Sequence, residues 1–596
     1  MAEKRNEERK LSRRDFLKNT GILAGSAALG AGFLVGCSQP AAKETTTPVE
    51  EGPKWDYEAD VVVIGLGGAG ASAAIEAHDN GAKVLVLEKQ AEATHFSNTR
   101  MSGGVFHNPD PSGDRAARVE YIKAMMCGKN IPWKLEGEQP HVSDEMAEMF
   151  ADGIMEVAKF LLAQAPELDE AGMAPGGDAS FPMFPKFAEA KYGRTVRCRY
   201  KDYQNADGNL KPFEQPKLTK SAGESFHWAL IEEGIKAKRP EIQILYETPA
   251  KRLIKAENGE IIGVIAVQKG QEIRVKAKRA VVLTSGGFEY SAPMRKAFLE
   301  GPGVKGWCFY GSPYNTGDGI EMAIQVGAAL AKVAKSASRI EPAFPHGENY
   351  EKKGLKMGTM SAVSSSQNSC IVDNYGKRYT AEDIITDSTR PYRYQFYKEA
   401  VRYDMINMIY PRVPSWAIFD EKRRESASLV SLSNSTVGYG FLPWSADNMD
   451  AINRGWILKA DTIEELAEKI KADPENRGLM TAETLAETIR KFNEYCAAGE
   501  DKEFGRNPAT MGPIEKPPFY AMKHYPGGPN TKGGIDADAQ RRVLDWEGKP
   551  IPRLFTAGEI SSVFKFTYQA GGNLTECIVC GRVAGRNAAA MEPWTE

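Results

Sequence analysis

A strand–turn–helix–strand pattern near residue 60 constrains this chain more than any other feature. Residues 61–64 are a β-branched run, which is typical of a buried parallel strand. The sequence GLGGAG follows, then an Ala-rich helical stretch, and then a second apolar run that ends at Glu88. Such glycines permit a tight turn, a close backbone approach to a pyrophosphate and helix packing, while the acid accepts from ribose hydroxyls. The pattern predicts a dinucleotide site formed by Gly65, Gly67, Ala69, Gly70 and Glu88.

FAD and NAD share this pattern, and two distant segments favour FAD. Residues 281–288 are predicted to be a strand that runs into a Gly pair. Residues 550–559 are predicted to be another strand, with a small-residue turn and an acid, Glu559. These segments resemble the strand ends that close over FAD in flavoproteins with two dinucleotide folds.

Further motifs along the chain allow the resemblance to be named. They are SGG at 102–104, LTSGGF at 283–288, NTGDG at 315–319, GKRY at 376–379, NTKGG at 530–534, AGE at 557–559, GGN at 571–573 and GRVAG at 581–585. Taken in this order they resemble the flavoprotein superfamily of fumarate reductases, urocanate-type reductases and 3-ketosteroid dehydrogenases. The resemblance implies FAD as the cofactor and chemistry on CH–CH groups next to a carbonyl.

The fold implied by the resemblance is α/β. It is a Rossmann-like FAD-binding domain with two dinucleotide folds and an inserted α+β capping domain. By this analogy, residues 57–335 and 524–596 form the FAD-binding domain, and residues 336–523 form the cap. Residues 463–470 fit the cap, because they are apolar at i, i+3, i+4 and i+7, as in an amphipathic helix.

The resemblance also implies how the flavin is held. Relatives with covalent FAD use the His of a Ser-His-Thr segment, where this chain has Ser97-Asn98-Thr99, with His95 three residues before Asn98. The flavin is therefore predicted to be noncovalent. The further predicted cofactor contacts are Lys89, Asn98, Thr99, Ser102, Gly103, Gly104, Ala250, Ser285, Gly286, Asp318, Glu559, Gly572, Asn573 and Leu574.

Composition excludes several other classes of protein. The 596 residues carry a formal net charge of −3, which argues against a nucleic-acid partner. Eight cysteines are too few for a disulfide scaffold, and there is no CxxCH for a c-type haem. The CxxC at 577–580 lacks the four ligands of a zinc or iron–sulfur site, and we predict no metal centre. After residue 37 no run approaches the ~20 apolar residues of a membrane span.

The first residues predict export. Residues 12–18 read SRRDFLK, which resembles the twin-arginine motif, and an uncharged Gly- and Ala-rich stretch follows. This stretch ends in LVGC, which resembles a lipobox with Cys37 as the lipidated residue. We expect a signal peptide over 1–36, a flexible tether over 37–56, and a body held by lipid at the cell envelope on the extracytoplasmic side. Because the twin-arginine route carries folded proteins, this leader agrees with a tightly bound cofactor.

The substrate prediction depends on four positions that lack the family's charge-binding side chains. Fumarate reductases hold two carboxylates with Arg and His side chains. The matching positions here are Thr386, Gln569, Asn530 and, in a His-Pro pair, Glu341. A buried dicarboxylate without its counter-charges would cost several kcal/mol, so the sequence argues against fumarate and succinate.

A tyrosine stands near the GGN turn instead. Ketosteroid dehydrogenases place a Tyr near this turn, where its hydroxyl and a Gly amide polarise a ketone, and Tyr568 and Gly572 are the candidates here. Packing of Tyr568 against the flavin edge is the alternative role. Arg390 is a further catalytic candidate, because it could act as the acid that fumarate reductases take from an Arg.

The sequence therefore predicts an exported FAD-dependent oxidoreductase that reduces, or in reverse forms, a C=C bond conjugated to a carbonyl. The expected small-molecule substrate is an enone or enoate, such as a steroid-like or aromatic compound. A separate protein, a cytochrome or a membrane reductase, is expected to supply the electrons. Two alternatives stay open. One is a fumarate- or urocanate-type enoate reductase that uses Arg390 or Arg393, and the other is a non-catalytic flavoprotein that carries electrons.

Overall fold

Within the described residues, the strands are distributed over two large sheets and two small ones. The computed structural model describes residues 54–109, 111–127, 142–168, 195–197, 222–299, 301–336, 339–364, 366–382, 394–432, 435–564 and 571–594. In chain order the strands are β1 (Tyr57–Ile64), β2 (Val84–Leu87), β3 (Val105–His107), β4 (Thr195–Arg197), β5 (Gln243–Leu245), β6 (Ala250–Lys255), β7 (Ile261–Gln268), β8 (Gln271–Leu283), β9 (Cys308–Phe309), β10 (Leu330–Ser336), β11 (Arg339–Phe344), β12 (Met357–Gly358), β13 (Ser369–Val372), β14 (Ser415–Asp420), β15 (Ile457–Ala460), β16 (Phe519–Gly528), β17 (Thr531–Ile535), β18 (Arg542–Leu544) and β19 (Pro550–Thr556).

Helices connect and cover these strands. In chain order they are α1 (Gly68–Asp79), α2 (Asn98–Met101), α3 (Arg115–Cys127), α4 (Asp144–Gly153), α5 (Val157–Gln164), α6 (Ala222–His227), α7 (Ala292–Phe298), α8 (Asp318–Gln325), α9 (Glu348–Lys353), α10 (Tyr394–Ala400), α11 (Glu421–Ser426), α12 (Met449–Asn453), α13 (Ile463–Ala472), α14 (Ala482–Ala498) and α15 (Gly572–Ala589). A π-helix (Trp228–Ala237) continues α6. Short 3-10 turns lie at Glu92–Thr94, Ile154–Glu156, Val304–Gly306 and Pro508–Thr510.

The first large sheet runs in the order β18-β19-β8-β1-β2-β5, with β6 and β7 continuing from β8. β1 lies parallel to β2 and to β8, and β19 lies parallel to β8. The buried side chains of β1 and β2 explain the parallel pairing, since such strands are covered on both faces. This sheet joins the two ends of the chain, and the prediction of an α/β fold with a Rossmann-like dinucleotide unit is confirmed.

Two helices of this unit pack with their backbones in close approach. α1 begins directly after the Gly-rich turn, and α15 lies against it. A Cβ added at Gly581 would lie 2.6 Å from the Ala69 carbonyl oxygen, and one at Gly585 would lie 2.2 Å from that of Ala73. The GRVAG motif is therefore a helix-packing motif, which lets the middle of α15 lie directly against α1.

The second large sheet has the order β12-β11-β16-β14-β13, with β15 and β9 also paired to β16. Its pairs are antiparallel except for that of β16 with β9. Helices α13 and α14 cover this sheet through a core that includes Trp416, Leu466 and Phe492. Most of its strands fall inside the predicted cap, but β9 and the end of β16 fall outside it. The domain boundaries at residues 335 and 523 stay a prediction.

Residues 54–596 form one compact unit. In the described ranges, no helix combines the length and the apolar character needed to cross a bilayer.

Candidate functional site

A groove opens where the parallel strands β1, β2 and β8 end. This edge is where open α/β sheets bind their ligands. The empty space of the groove, which includes open solvent, is about 780 Å³. It is lined by residues 64–69, 87–90, 97–99 and 284–286, together with His95, Pro249, Ala250, Tyr314, Asn315, Asp318, Met322, Glu559 and Cys577.

The three glycines of the fingerprint have different neighbours. Gly65 has φ +99°, and a Cβ there would lie 2.8 Å from the carbonyl oxygen of Thr284. A Cβ at Gly70 would lie 1.9 Å from the carbonyl oxygen of Gly65. At Gly67 the nearest protein atom would be the Cβ of Ser97 at 3.8 Å. The fold thus requires the first and third glycines, whereas the second leaves space on the groove side.

Glu88 is positioned as the acid of a dinucleotide site. Its carboxylate accepts from the backbone N–H of Leu66 at 2.9 Å and of Gln90 at 2.8 Å. Burial acts to raise the pKa of Glu88, but interactions with His95 and these hydrogen bonds outweigh it, so the pKa lies below the ordinary value. Glu88 therefore stays ionised at neutral pH and can accept hydrogen bonds from the hydroxyls of a ribose.

Asn98, where a covalent linker would be His, bridges two buried carboxyl groups. Its Nδ2 donates to Glu289 Oε1 at 3.0 Å and to Glu559 Oε2 at 2.8 Å, while its Oδ1 accepts from the backbone N–H of Ser312 at 2.6 Å. Burial raises the pKa of both Glu289 and Glu559, and the charge of Glu289 raises that of Glu559 further. Because two neighbouring buried carboxylates repel each other, the pKa of each lies above its ordinary value.

Lys89 and Asp318 form an ion pair among the residues that line the groove. Lys89 Nζ donates to Asp318 Oδ2 at 2.7 Å and to Thr316 Oγ1 at 2.8 Å. Burial acts to raise the pKa of Asp318, but Lys89 lowers it more, and the net pKa lies below the ordinary value. Because Asp318 is the first residue of α8, its charge also complements the positive end of that helix.

The N-terminus of α15 forms a second polar region. Gly571 precedes the helix with φ +81°, a conformation that favours glycine. Asn573 Nδ2 donates to Asn530 Oδ1 at 3.0 Å, and the buried Lys532 Nζ donates to Asn573 Oδ1. A helix N-terminus with a nearby cation can stabilise negative charge that develops on a bound group.

The structure gathers most of the predicted cofactor residues around the groove. Those that line it are Gly65, Gly67, Ala69, Glu88, Lys89, Asn98, Thr99, Ala250, Ser285, Gly286, Asp318 and Glu559. Those that do not line it are Gly70, Ser102, Gly103, Gly104, Gly572, Asn573 and Leu574. Gly70 instead packs against the turn at Gly65. The assignment of each to the cofactor stays a prediction.

The catalytic candidates Tyr568 and Arg390 lie outside the described residues, as do Thr386, Gln569, Arg393 and the whole leader with Cys37. In the part of the chain that is described, no three His, Cys, Asp or Glu side chains come together as a metal site needs.

Several residues of the groove were not predicted from the sequence. Thr284, Tyr314, Asn315, His95 and Cys577 all line it. Asn315 and Thr284 belong to motifs that the sequence identified, and their position beside predicted cofactor contacts could have indicated that they line the groove. His95 and Tyr314 belong to no such motif, and folding alone brings them to the groove.

The groove fits FAD on observations of its own. Gly67 leaves space that the protein does not fill. Ser285 Oγ and His95 Nδ1 are buried without a hydrogen-bond partner, although both side chains line the groove. Buried polar groups of this kind are normally satisfied, so a polar ligand would supply the missing partners. When bound, FAD supplies hydride transfer, while the protein binds, orients and excludes water.

The fold and the groove define a flavin-dependent oxidoreductase. The chain belongs to the FAD binding domain family, which matches residues 60–574. FAD is its cofactor, and the chain is an oxidoreductase acting on CH–CH groups, as the resemblance predicted.

Similar proteins agree with this class. The chain is 26% identical to the digoxin reductase of Eggerthella lenta, over 99% of both chains. It is 26% identical to the 3-oxosteroid 1-dehydrogenase of Mycolicibacterium smegmatis, over 89% of this chain and 97% of the relative. Its fold is similar to that of 3-ketosteroid Δ1-dehydrogenase from Sterolibacterium denitrificans, with TM-score 0.65, 22% identity, and 89% and 99% of the two chains covered.

Proposed function

We propose that this chain is an exported enzyme that reduces, or in reverse forms, a C=C bond conjugated to a carbonyl. The substrate is an enone or enoate of steroid-like or aromatic character, with at most one carboxylate. The observation that carries the proposal is the lack of positive charge at the described positions that match the dicarboxylate-binding side chains. These positions are Glu341 and Asn530.

Glu341 replaces the positively charged ligand expected for a dicarboxylate with an acid. It is buried on β11, where its Oε2 accepts from the backbone N–H of Ser361 at 2.5 Å and its Oε1 lies 3.4 Å from Arg339 Nη1. Arg339 is thereby paired with an acid of the protein, and the side chain at position 341 supplies no positive charge to a second carboxylate. Burying a carboxylate without a counter-charge costs several kcal/mol.

Asn530 is committed to holding the start of α15. Its Oδ1 accepts from Asn573, and its own Nδ2 donates to the carbonyl oxygen of Thr531 at 2.9 Å. Its amide therefore connects β17 to the GGN turn and offers no charge to a substrate. Two relatives support a substrate without two carboxylates, since one is a digoxin reductase and the other a 3-oxosteroid 1-dehydrogenase.

Tyr568 and Gly572 are proposed to polarise the carbonyl oxygen of the substrate. The Tyr568 hydroxyl and the Gly572 N–H would donate to that oxygen as negative charge develops on it. Arg390 is the alternative acid for the neighbouring carbon, and it would favour a urocanate-type enoate.

The electrons are proposed to come from a separate protein, a cytochrome or a membrane reductase. The twin-arginine motif and the lipobox support export and attachment to the envelope through Cys37. Replacing Arg13 and Arg14 with Lys should retain the protein in the cytoplasm. Cys37→Ser should leave export intact and release the protein from the membrane fraction, and continued membrane retention of the Ser protein would contradict lipidation.

Product analysis under anaerobic conditions tests the reaction. The holoenzyme is incubated with a reduced viologen and a set of enones, enoates and fumarate, and the saturated products are identified. We expect turnover of an enone or monocarboxylic enoate in preference to fumarate. Efficient turnover of fumarate would contradict the substrate proposal, and no turnover of any compound in the set would favour an electron carrier.

Tyr568→Phe tests the carbonyl contact. It should lower the rate with the preferred substrate by about 10²–10³-fold, the range for one preorganised donor, with FAD content unchanged. Tyr314→Phe is the matched control, because Tyr314 lines the cofactor groove but belongs to no substrate motif. An unchanged rate for Tyr568→Phe would make Tyr568 a packing residue.

A further inference from the structure

One turn of the cap region exposes three large apolar side chains together. Met405 is 79% exposed, Ile406 is 91% exposed and Met408 is 73% exposed. They lie in the middle of the turn formed by residues 403–410, which follows α10, and we call these three side chains the tip of the turn. Exposed apolar side chains are common one at a time, but a group of three at one projecting tip is a sign of an interaction surface.

Hydrogen bonds within the turn pair several of its backbone donors. Asp404 and Ile409 exchange backbone hydrogen bonds of 2.8 and 3.3 Å, which close the turn. The Asp404 carboxylate accepts from the backbone N–H of Ile406 at 2.9 Å and of Asn407 at 3.1 Å, and from Asn407 Nδ2 at 2.8 Å. The N–H groups of these four residues therefore have partners inside the protein, which lowers the cost of bringing the turn into an apolar medium.

The backbone of Met408 adds a second observation. Its φ is +54°, a left-handed conformation in which Asn or Gly is the less strained choice. Methionine is therefore not required by the turn. A strained, exposed, apolar side chain is explained by what it contacts outside the chain.

The base of the turn is aromatic and carries one exposed cation. The rings of Tyr403 and Tyr410 lie 4.9 Å apart, centroid to centroid. The side chain of Arg402, beside Tyr403, is 71% exposed, whereas Arg412 is largely buried and paired with Glu399 at 2.5 Å. An apolar tip above a tyrosine base and an exposed Arg is an order of groups found where a protein meets a lipid interface.

We propose that the 403–410 turn inserts its tip into the surface of a lipid bilayer. A stable protein interface needs about 800 Å² from each side, which is more than three side chains supply, whereas a lipid surface can take up a few apolar side chains. The chain also offers a way to reach the membrane. Residues 37–53, which precede the compact unit, would span up to about 60 Å when extended, so a lipid at Cys37 would keep the body near the bilayer.

The test removes the proposed lipid anchor at Cys37 and measures the membrane binding that remains. The protein is prepared with FAD as residues 37–596 carrying Cys37→Ser, which retains the whole compact unit of residues 54–596. Its partition into phosphatidylcholine vesicles, and into vesicles of phosphatidylethanolamine with phosphatidylglycerol, is measured by sedimentation. Because the bilayer would bury this side chain only in part, Ile406→Ser should lower the partition coefficient about tenfold, which is ~1.4 kcal/mol.

Met408→Asn should lower the partition coefficient while relieving the strained backbone, so weaker vesicle binding would coincide with an unchanged or higher thermal midpoint. Trp546→Ser is the matched control, because Trp546 is 71% exposed on the turn between β18 and β19 and should have no effect. FAD content and thermal unfolding verify the fold of each variant.

Several results would overturn the proposal. They are failure of the parent to bind either vesicle, an unchanged partition for Ile406→Ser, and an equal loss for Trp546→Ser. Light scattering tests the alternative that the turn binds a second copy of the chain. A parent dimer that Ile406→Ser converts to a monomer, with vesicle binding unchanged, would assign the turn to a second copy of the chain instead.

Discussion

Replacing Gly67 with alanine should separate cofactor binding from folding. Gly67 has φ −85° and ψ −170°, which any residue adopts, and the nearest protein atom to an added Cβ would be 3.8 Å away. The lost freedom of the unfolded chain would stabilise the protein by about 0.4–1 kcal/mol, and the weaker helix N-cap would offset a similar amount. The unfolding free energy of the apoprotein should therefore change by no more than about 0.5 kcal/mol.

The cofactor should respond very differently to the same methyl group. The second glycine of the fingerprint is the point of closest backbone approach to a pyrophosphate. A methyl group there must push the ligand away, and we expect the Kd of FAD to rise at least about 10²-fold, which is ~2.7 kcal/mol.

Gly70→Ala provides the matched contrast. Its Cβ would lie 1.9 Å from the Gly65 carbonyl oxygen and 2.8 Å from Thr284 Oγ1, so the turn and the helix must move apart. This variant should lose about 3 kcal/mol or more of unfolding free energy even without FAD.

Two measurements suffice for this comparison, the thermal midpoint of each apoprotein and a titration of FAD by quenching of flavin fluorescence. The reasoning would be refuted if the Gly67→Ala protein kept the parent affinity for FAD. It would equally be refuted if the Gly67→Ala apoprotein lost as much stability as the Gly70→Ala apoprotein.

Three further predictions concern the flavin linkage, the carboxyl pair and the cap. Acid precipitation should release the flavin into the supernatant, because the Asn98 amide stands where a covalent linker would be His, and flavin that stays in the pellet would contradict this. Burial raises the pKa of Glu289 and Glu559 above the ordinary 4.5, so their contribution to stability is present below pH 4.5 and is lost as the pH rises toward the raised values. Glu289→Gln should therefore reduce the fall in the denaturant midpoint of the apoprotein between pH 5 and 8, whereas Glu487→Gln, at an exposed carboxylate, should not. Arg378→Met should cost about 3–5 kcal/mol of unfolding free energy, because Arg378 pairs with the buried Glu382 at 2.9 Å and Asp501 at 2.8 Å. Arg490→Met, on an exposed face of α14, should change the unfolding free energy by less than about 0.5 kcal/mol. Equal effects of the two substitutions would show that burial of the charges is irrelevant.

The sequence by itself determined the dinucleotide unit of this protein. The β-branched strand, the spacing of Gly65, Gly67 and Gly70 and the acid at Glu88 are local features, and each has a local physical reason. The structure agrees, with β1, the turn, α1 and β2 in order and Glu88 hydrogen-bonded to the turn. The distant strand ends were also predictable, because motifs of the family mark them.

Only the tertiary structure decided what surrounds that unit. Asn98 bridges Glu289 and Glu559, which lie 191 and 461 positions further along the chain, and no local sequence pattern indicates these contacts. The same holds for His95 in the groove and for the exposure of Ile406, which the sequence presents as ordinary apolar residues or isolated polar ones. The physical reason is that periodicity reports which face of an element is apolar, whereas the partners of a buried polar group, or the lack of cover over an apolar one, are fixed when distant elements pack.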